Sequence, residues 1–129
     1  MADAAAPALG GRHILVVEDE YLLAADLAQT LEELGAVVVG PAATVERALA
    51  LVEAEDRLDG AVLDLNLGGE RAYPVADALV ARGVPFVFVT GYDDGVVPAA
   101  HVQAPRCEKP FDPAVLARTL SGCIDRRSA

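Results

Sequence analysis

Several polar residues far apart in this chain share one local setting, in which each closes or directly follows a short apolar run. Asp64 ends Ala61-Val62-Leu63 and is followed by Leu65-Asn66, while Glu18, Asp19 and Glu20 come after Ile14 to Val17. Thr90 closes Phe86 to Val89, and Lys109 follows a last short run. If the first and third runs lie side by side, Glu18, Asp19 and Asp64 converge. Two like charges about 4 Å apart repel by about 4 kcal/mol at an effective dielectric near 20. Such a cluster either takes up a proton or recruits a cation. Hard oxygen ligands with room for water suit Mg²⁺ better than zinc, and no His or Cys lies in these motifs. A carboxylate to accept a phosphoryl group, a metal and an ammonium to neutralise its oxygens, and a hydroxyl to hydrogen-bond it are the parts phosphoryl transfer needs. Asp64, projecting alone from a central run, is the nucleophile candidate.

The elements that must position these groups read as five strands alternating with helices. Strand one spans His13 to Glu18. The first helix carries Leu23, Leu27, Leu31 and Leu34 on one stripe and is closed by Gly35. Val37 to Val39 form a short second strand ended by Gly40-Pro41. Thr44 is the N-cap of a second helix that turns Ala48, Leu49 and Val52 inward. Ala61 to Leu65 is the third strand, Pro74 opens a third helix that stops before Gly83, and Val84 to Val89 is the fourth strand. Gly91, Asp93, Asp94, Gly95 and Pro98 then make a poor and short fourth helix. Arg106 to Glu108 is the last strand. Asp112-Pro113 starts a final helix with Leu116, Leu120 and Ile124 on its stripe. Runs without polar alternation mean strands covered on both faces, hence a doubly wound parallel α/β sheet. In such sheets ligands bind at the carboxyl edge.

The 129 residues suit one domain, and 53% hydrophobic content is enough for one core. Residues 1–11, rich in Ala, Pro and Gly, read as a flexible lead-in, residues 12–125 as the domain and residues 126–129 as a tail. No apolar stretch reaches the roughly 18 residues of a membrane span, and no signal peptide is evident, which places the chain in the cytoplasm. A net charge of −10 argues against nucleic-acid contact, because phosphate counterion release needs clustered bases. Cys107 and Cys123 read as isolated buried thiols.

With these pieces assembled, the chain resembles a response-regulator receiver domain of bacterial two-component signalling from about Arg12 to Ile124. The segments that carry the likeness are ILVVEDE, AVLDLNL, FVFVTGY and EKPF, in that order. The resemblance implies a flavodoxin-like fold with five parallel strands in the order 2-1-3-4-5 and helices on both faces. It implies Asp64 as phosphoacceptor, Asp19 as direct Mg²⁺ ligand, Glu18 as second acid, the Asn66 backbone carbonyl as a further metal ligand, and Thr90 and Lys109 as the hydroxyl and lysine of the site. It also implies a cis Lys109-Pro110 bond and a partner histidine kinase or phosphotransfer protein. Two departures stand out: Arg106 occupies the place of the switch aromatic, and the stretch after Thr90 is short. With PFVFVTGY, these resemble the stand-alone FAT GUY subgroup, whose partners are often HWE-type kinases, although Val89 replaces its usual Ala. Phosphorylation is then expected to order the segment from Gly91 to Gln103.

The expected protein is a signalling switch rather than a turnover enzyme, acting through protein contacts or as a relay intermediate or sink. The enzyme alternative is a haloacid-dehalogenase-like Mg-dependent phosphatase. Its nucleophile, however, follows the first strand as D-x-D, where this chain has Glu18-Asp19-Glu20. A flavodoxin-type cofactor binder needs a Ser/Thr/Gly-rich loop after strand one, which is absent. Glu20 reads as an ordinary helix-start acid, Tyr92 as an interface anchor or a loop aromatic, Arg106 as an exposed signalling-face residue, and His13 and His101 as too remote to donate a phosphoryl group.

Overall fold

The computed structural model describes residues 8–91, 101 and 104–128. The elements are β1 (His13–Val17), α1 (Tyr21–Glu33), β2 (Val37–Ala42), α2 (Val45–Ala54), β3 (Gly60–Asp64), β4 (Asn66–Leu67), β5 (Glu70–Arg71), α3 (Tyr73–Arg82), β6 (Phe86–Thr90), β7 (Arg106–Glu108) and α4 (Pro113–Ser128). Five strands pair in parallel in the order β2-β1-β3-β6-β7. Once the small β4–β5 hairpin is set aside, this is the expected 2-1-3-4-5 sheet. The chain order reverses between β1 and β3, so their carboxyl ends open a crevice.

Every residue of β3 and β6 is buried. Side chains alternate between two cores, as the strand period of two requires. Leu15, Val17, Leu63, Phe86 and Phe88 pack with α2 and α3, while Ile14, Val16, Val62, Val87 and Val89 pack with α1 and α4. Ala24, Leu27 and Leu31 are the buried residues of α1, with Leu34 half-buried at its C-cap, and Gly35 then turns left-handed at φ 93°. Thr44 Oγ1 accepts from the Arg47 N–H at 3.1 Å, and Asp112 Oδ1 accepts from the Ala114 N–H at 2.9 Å, so both expected caps form. Lys109-Pro110 is cis. No described helix is long and apolar enough to cross a membrane.

Four features depart from the pattern read in the sequence. First, β2 does not stop at Gly40-Pro41 but resumes pairing at Ala42, with a register shift opposite Leu15 to Val17. Gly40 makes this possible at φ 95°, because a Cβ there would lie 2.8 Å from Ala42 N and 3.0 Å from Val16 O. Second, Asn66 to Arg71 form an unforeseen antiparallel hairpin. Gly68 and Gly69, at φ 62° and 95°, supply the two left-handed positions of its tight turn. Third, Arg82 on α3 reaches the Val52, Glu55 and Asp56 carbonyls at the end of α2 and closes that helix from outside.

Fourth, the expected lead-in is tied down at its end. Leu9 is 1% exposed within the core beside α1 and α4, and its N–H donates to Leu34 O at 2.9 Å. Residues 1–7 lie outside the described residues. So do Tyr92 and the stretch from 92 to 103 apart from His101, where the short fourth helix and the ordering segment were expected. Because Leu9 fills the core, Leu9→Ala should destabilise the protein by about 2–4 kcal/mol. Urea unfolding would check this, and an unchanged midpoint would return residues 8–11 to the status of a loose lead-in.

Candidate functional site

Strand register alone brings the polar residues together. Val17 pairs with Leu63, so Glu18 and Asp64 stand one step beyond the last β1–β3 pair. Asp64 pairs with Val89, which leaves Thr90 one step beyond on β6. Thr90 pairs with Glu108, and the Lys109 N–H donates to Thr90 O at 2.8 Å. From there the long side chain of Lys109 passes over the end of β6. Its Nζ lies 2.8 Å from Asp64 Oδ2, 3.2 Å from Glu20 Oε2 and 3.6 Å from Glu18 Oε1.

Asp64 and Glu18 are 2% and 4% exposed, whereas Asp19 is open to solvent. One carboxylate oxygen from each of Glu18, Asp19 and Asp64 lies within 4.8 Å of the others. Backbone donors fix the two buried acids. The Asn66 N–H donates to Asp64 Oδ1 at 3.0 Å, and the Glu20 N–H to Glu18 Oε2 at 3.0 Å. The hairpin that supplies Asn66 is braced by the Gly69 N–H on Asn66 Oδ1 at 2.7 Å. Its turn passes close to the acids, since a Cβ on Gly68 would lie 3.8 Å from Asp19 Oδ2.

Burial, then a hydrogen bond shared with Asp64 and the charge of Asp64, push the Glu18 carboxyl up to about 8; the Glu20 N–H and Lys109 pull only partly the other way. For Lys109, burial disfavours the ammonium. The bond to Asp64, with the charges of Asp64 and Glu18 and the bond to Glu20, outweighs it and holds the amine above the ordinary lysine range. Without a divalent ion, one ammonium and one proton at Glu18 offset only part of the acidic charge. A cation can take the place of that proton, so the oxygen donors present fit a hard divalent ion.

The structure thus joins Glu18, Asp19, Asp64 and Lys109, ties Asn66 to Asp64 through its backbone, and sets the buried Thr90 at the neighbouring strand end. The Thr90 hydroxyl makes no hydrogen bond to a described residue. The sequence reading missed Glu20, whose carboxylate reaches Lys109. Nothing in its local pattern set it apart from a helix-start acid. His101 is buried, its ring stacked on Tyr73 and Nε2 lying 2.9 Å from Asp77 Oδ1, away from the acids. Arg106 is exposed on β7.

A family model for the response regulator receiver domain matches residues 14–121. The chain belongs to the response regulator receiver family. This receiver is similar to SdrG from Sphingomonas melonis Fr1, at 42% identity and a TM-score of 0.74, over 95% of this chain and 98% of that one. It is also 32% identical over 114 residues to the phyllosphere-induced regulator PhyR of Methylorubrum extorquens. That match covers 86% of this chain and 43% of the relative, so the receiver spans less than half of that protein's length. The anti-anti-sigma factor PhyR from Bartonella quintana matches at 25% identity and a TM-score of 0.74, over 92% of this chain and 51% of that one.

The raised Glu18 carboxyl carries a pH signature. Between its ordinary 4.5 and about 8, the folded receiver binds a proton that the unfolded chain does not. Stability without divalent ions should therefore fall as pH rises through that window. Lys109, shifted upward, keeps its stabilising contribution throughout the window and loses it only above the ordinary lysine value. Denaturant midpoints measured in chelator from pH 5 to 8.5 should decline, and Glu18→Gln should flatten the decline. A rising profile would be incompatible with a proton held at Glu18.

Proposed function

We propose that this receiver accepts a phosphoryl group on Asp64 from the phosphohistidine of a histidine kinase or phosphotransfer protein. The observation that carries the reading is the 2.8 Å contact of Lys109 Nζ with a buried Asp64 carboxylate, inside a domain matched by the receiver family. In the reaction, an Asp64 oxygen forms a bond to phosphorus as the P–N bond to the donor imidazole breaks, and the freed nitrogen keeps the electron pair. Lys109 remains beside the oxygens it already faces, and Thr90, at the adjoining strand end, offers its hydroxyl to the transferred group. The backbone N–H of Asn66 keeps the carboxylate oriented.

Asp19, Glu18, Asp64 and the Asn66 carbonyl are the groups that would hold Mg²⁺. Bound there, the ion neutralises phosphoryl oxygens as charge builds on them. The fit of Asn66 follows from the hairpin. In an antiparallel ladder the N–H and C=O of one residue face the same side, and the Asn66 N–H already faces Asp64. The haloacid-dehalogenase-like alternative has no comparable support, because the candidate nucleophile follows β3 rather than the first strand.

The receiver works as a switch in the cytoplasm, with output through protein contacts or as an intermediate or sink in a relay. The likeness to SdrG and to part of two PhyR proteins, one of them an anti-anti-sigma factor, supports a related signalling circuit. The kinase partner is of the HWE type, as the FAT GUY-like motif suggests.

Incubation with acetyl phosphate and Mg²⁺ should add one phosphoryl mass that maps to the peptide containing Asp64. Asp64→Asn should abolish the addition, while Arg106→Ala should leave it largely intact. Labelling that survives in the asparagine variant would locate the acceptor elsewhere, and repeated turnover of p-nitrophenyl phosphate would restore the phosphatase reading. Mg²⁺ should also raise the melting temperature, more at pH 8 than at pH 5.5, because it competes with the Glu18 proton.

A further inference from the structure

A short polar side chain at a helix N-cap, such as Asp, ordinarily bonds the N–H groups of the first turn. Glu20 holds the N-cap position of α1 in extended conformation, yet its carboxylate makes no cap hydrogen bond. It turns outward and accepts from Lys109 Nζ at 3.2 Å, across 89 positions of sequence. The ammonium has three N–H donors. Two acids accept from it, Asp64 at 2.8 Å and Glu20 at 3.2 Å, while Glu18 stands at 3.6 Å, so the exposed Glu20 holds one of the two donors already engaged.

The three acids are not equivalent. Glu18 is buried and held by a backbone N–H, and Asp64 is the acceptor. Glu20 is 65% exposed, and with Lys109 it lines an open cleft of about 480 Å³ that includes Leu22, Asp26 and Phe111. It therefore places a negative charge, and a grip on the ammonium, on the solvent side of the acceptor.

Resting on the phosphoacceptor reading above, we propose that Glu20 is a positioning residue that competes with the incoming phosphoryl group for Lys109 and so restrains labelling by small anionic phosphodonors. The phosphoryl oxygens need the same N–H donors, and the donor molecule meets like charge as it approaches. A partner protein can offset both with its own cations; free acetyl phosphate cannot.

The test is the initial rate of acetyl phosphate labelling at saturating Mg²⁺, followed by intact mass, at low and high ionic strength. Glu20→Gln should label about five-fold faster at low salt, with the gain shrinking as salt is added. Its melting temperature should change little, because the carboxylate makes no cap bond and its pair with Lys109 is largely exposed. Glu20→Asp keeps the charge but is one methylene too short for Lys109, and should also label faster than the parent. Equal or slower labelling of Glu20→Gln would overturn the inference. A Glu20→Asp rate identical to that of the parent would overturn the grip on Lys109, leaving only charge. If the parent itself gains no phosphoryl group at Asp64, the phosphoacceptor reading falls and this inference with it. If the parent labels normally and neither variant changes the rate, this inference alone falls.

Discussion

A carboxylate buried at the end of a central strand must be met by positive charge, and nearly every feature of the carboxyl edge answers that demand. Removing one partner of a buried ion pair typically costs about 3–5 kcal/mol. Asp64 meets its partner in Lys109, which belongs to the edge of the sheet and reaches back across β6. The contact is possible only if β3, β6 and β7 keep their register, since a one-residue slip of either neighbour would turn its end residues to the opposite face. Lys109 is also fixed at its backbone by Thr90 O. One ion pair therefore ties three strands to a single alignment, and the same alignment brings Thr90 to the site.

The pair does not neutralise the site, which holds more acid than base. Glu18 keeps a proton well above the ordinary carboxyl range because it is buried beside Asp64. A fold selected for stability alone would replace such a group with an apolar residue, and the excess of acid marks a place where stability gives way to binding. The sheet provides the rigid frame that tolerates the strain: β1 and β3 are buried along nearly their full lengths, and backbone N–H groups hold both inner acids.

Most of this architecture was readable because strands covered on both faces are written as unbroken apolar runs, and the residue that ends each run must sit at an edge. Asp64, Thr90 and Lys109 were located by that logic, and the caps at Thr44 and Asp112 by local chemistry that needs no tertiary context. The misses share a different cause. Gly40-Pro41 looks like a strand end, but a glycine allowing a close backbone approach lets β2 bulge and continue to Ala42. Leu9 sits in a stretch whose composition reads as loose, and its burial depends on packing with residues of α1 and α4 that no local pattern encodes. Glu20 resembles any acid at a helix start. Only the path of Lys109, fixed 89 positions away, gives it another partner.

The exposed Arg106 raises the question of what links the site to the rest of the fold where a switch aromatic is missing. The described residues place aromatic contact elsewhere. Phe88, two residues before Thr90 on β6, meets the rings of Tyr73 and His101 edge-on at 6.2 and 6.0 Å, and those two rings stack at 5.6 Å. Tyr73 begins α3 directly after the hairpin that carries Asn66, and Asp77 on the same helix hydrogen-bonds His101. The two walls of the site, the hairpin beside Asp64 and the strand ending in Thr90, thus meet again beneath it in one aromatic cluster. Close-packed interiors transmit displacement instead of absorbing it. β6 and the start of α3 are packed against one another through Phe88 and Tyr73, close in sequence to Thr90 and to the hairpin.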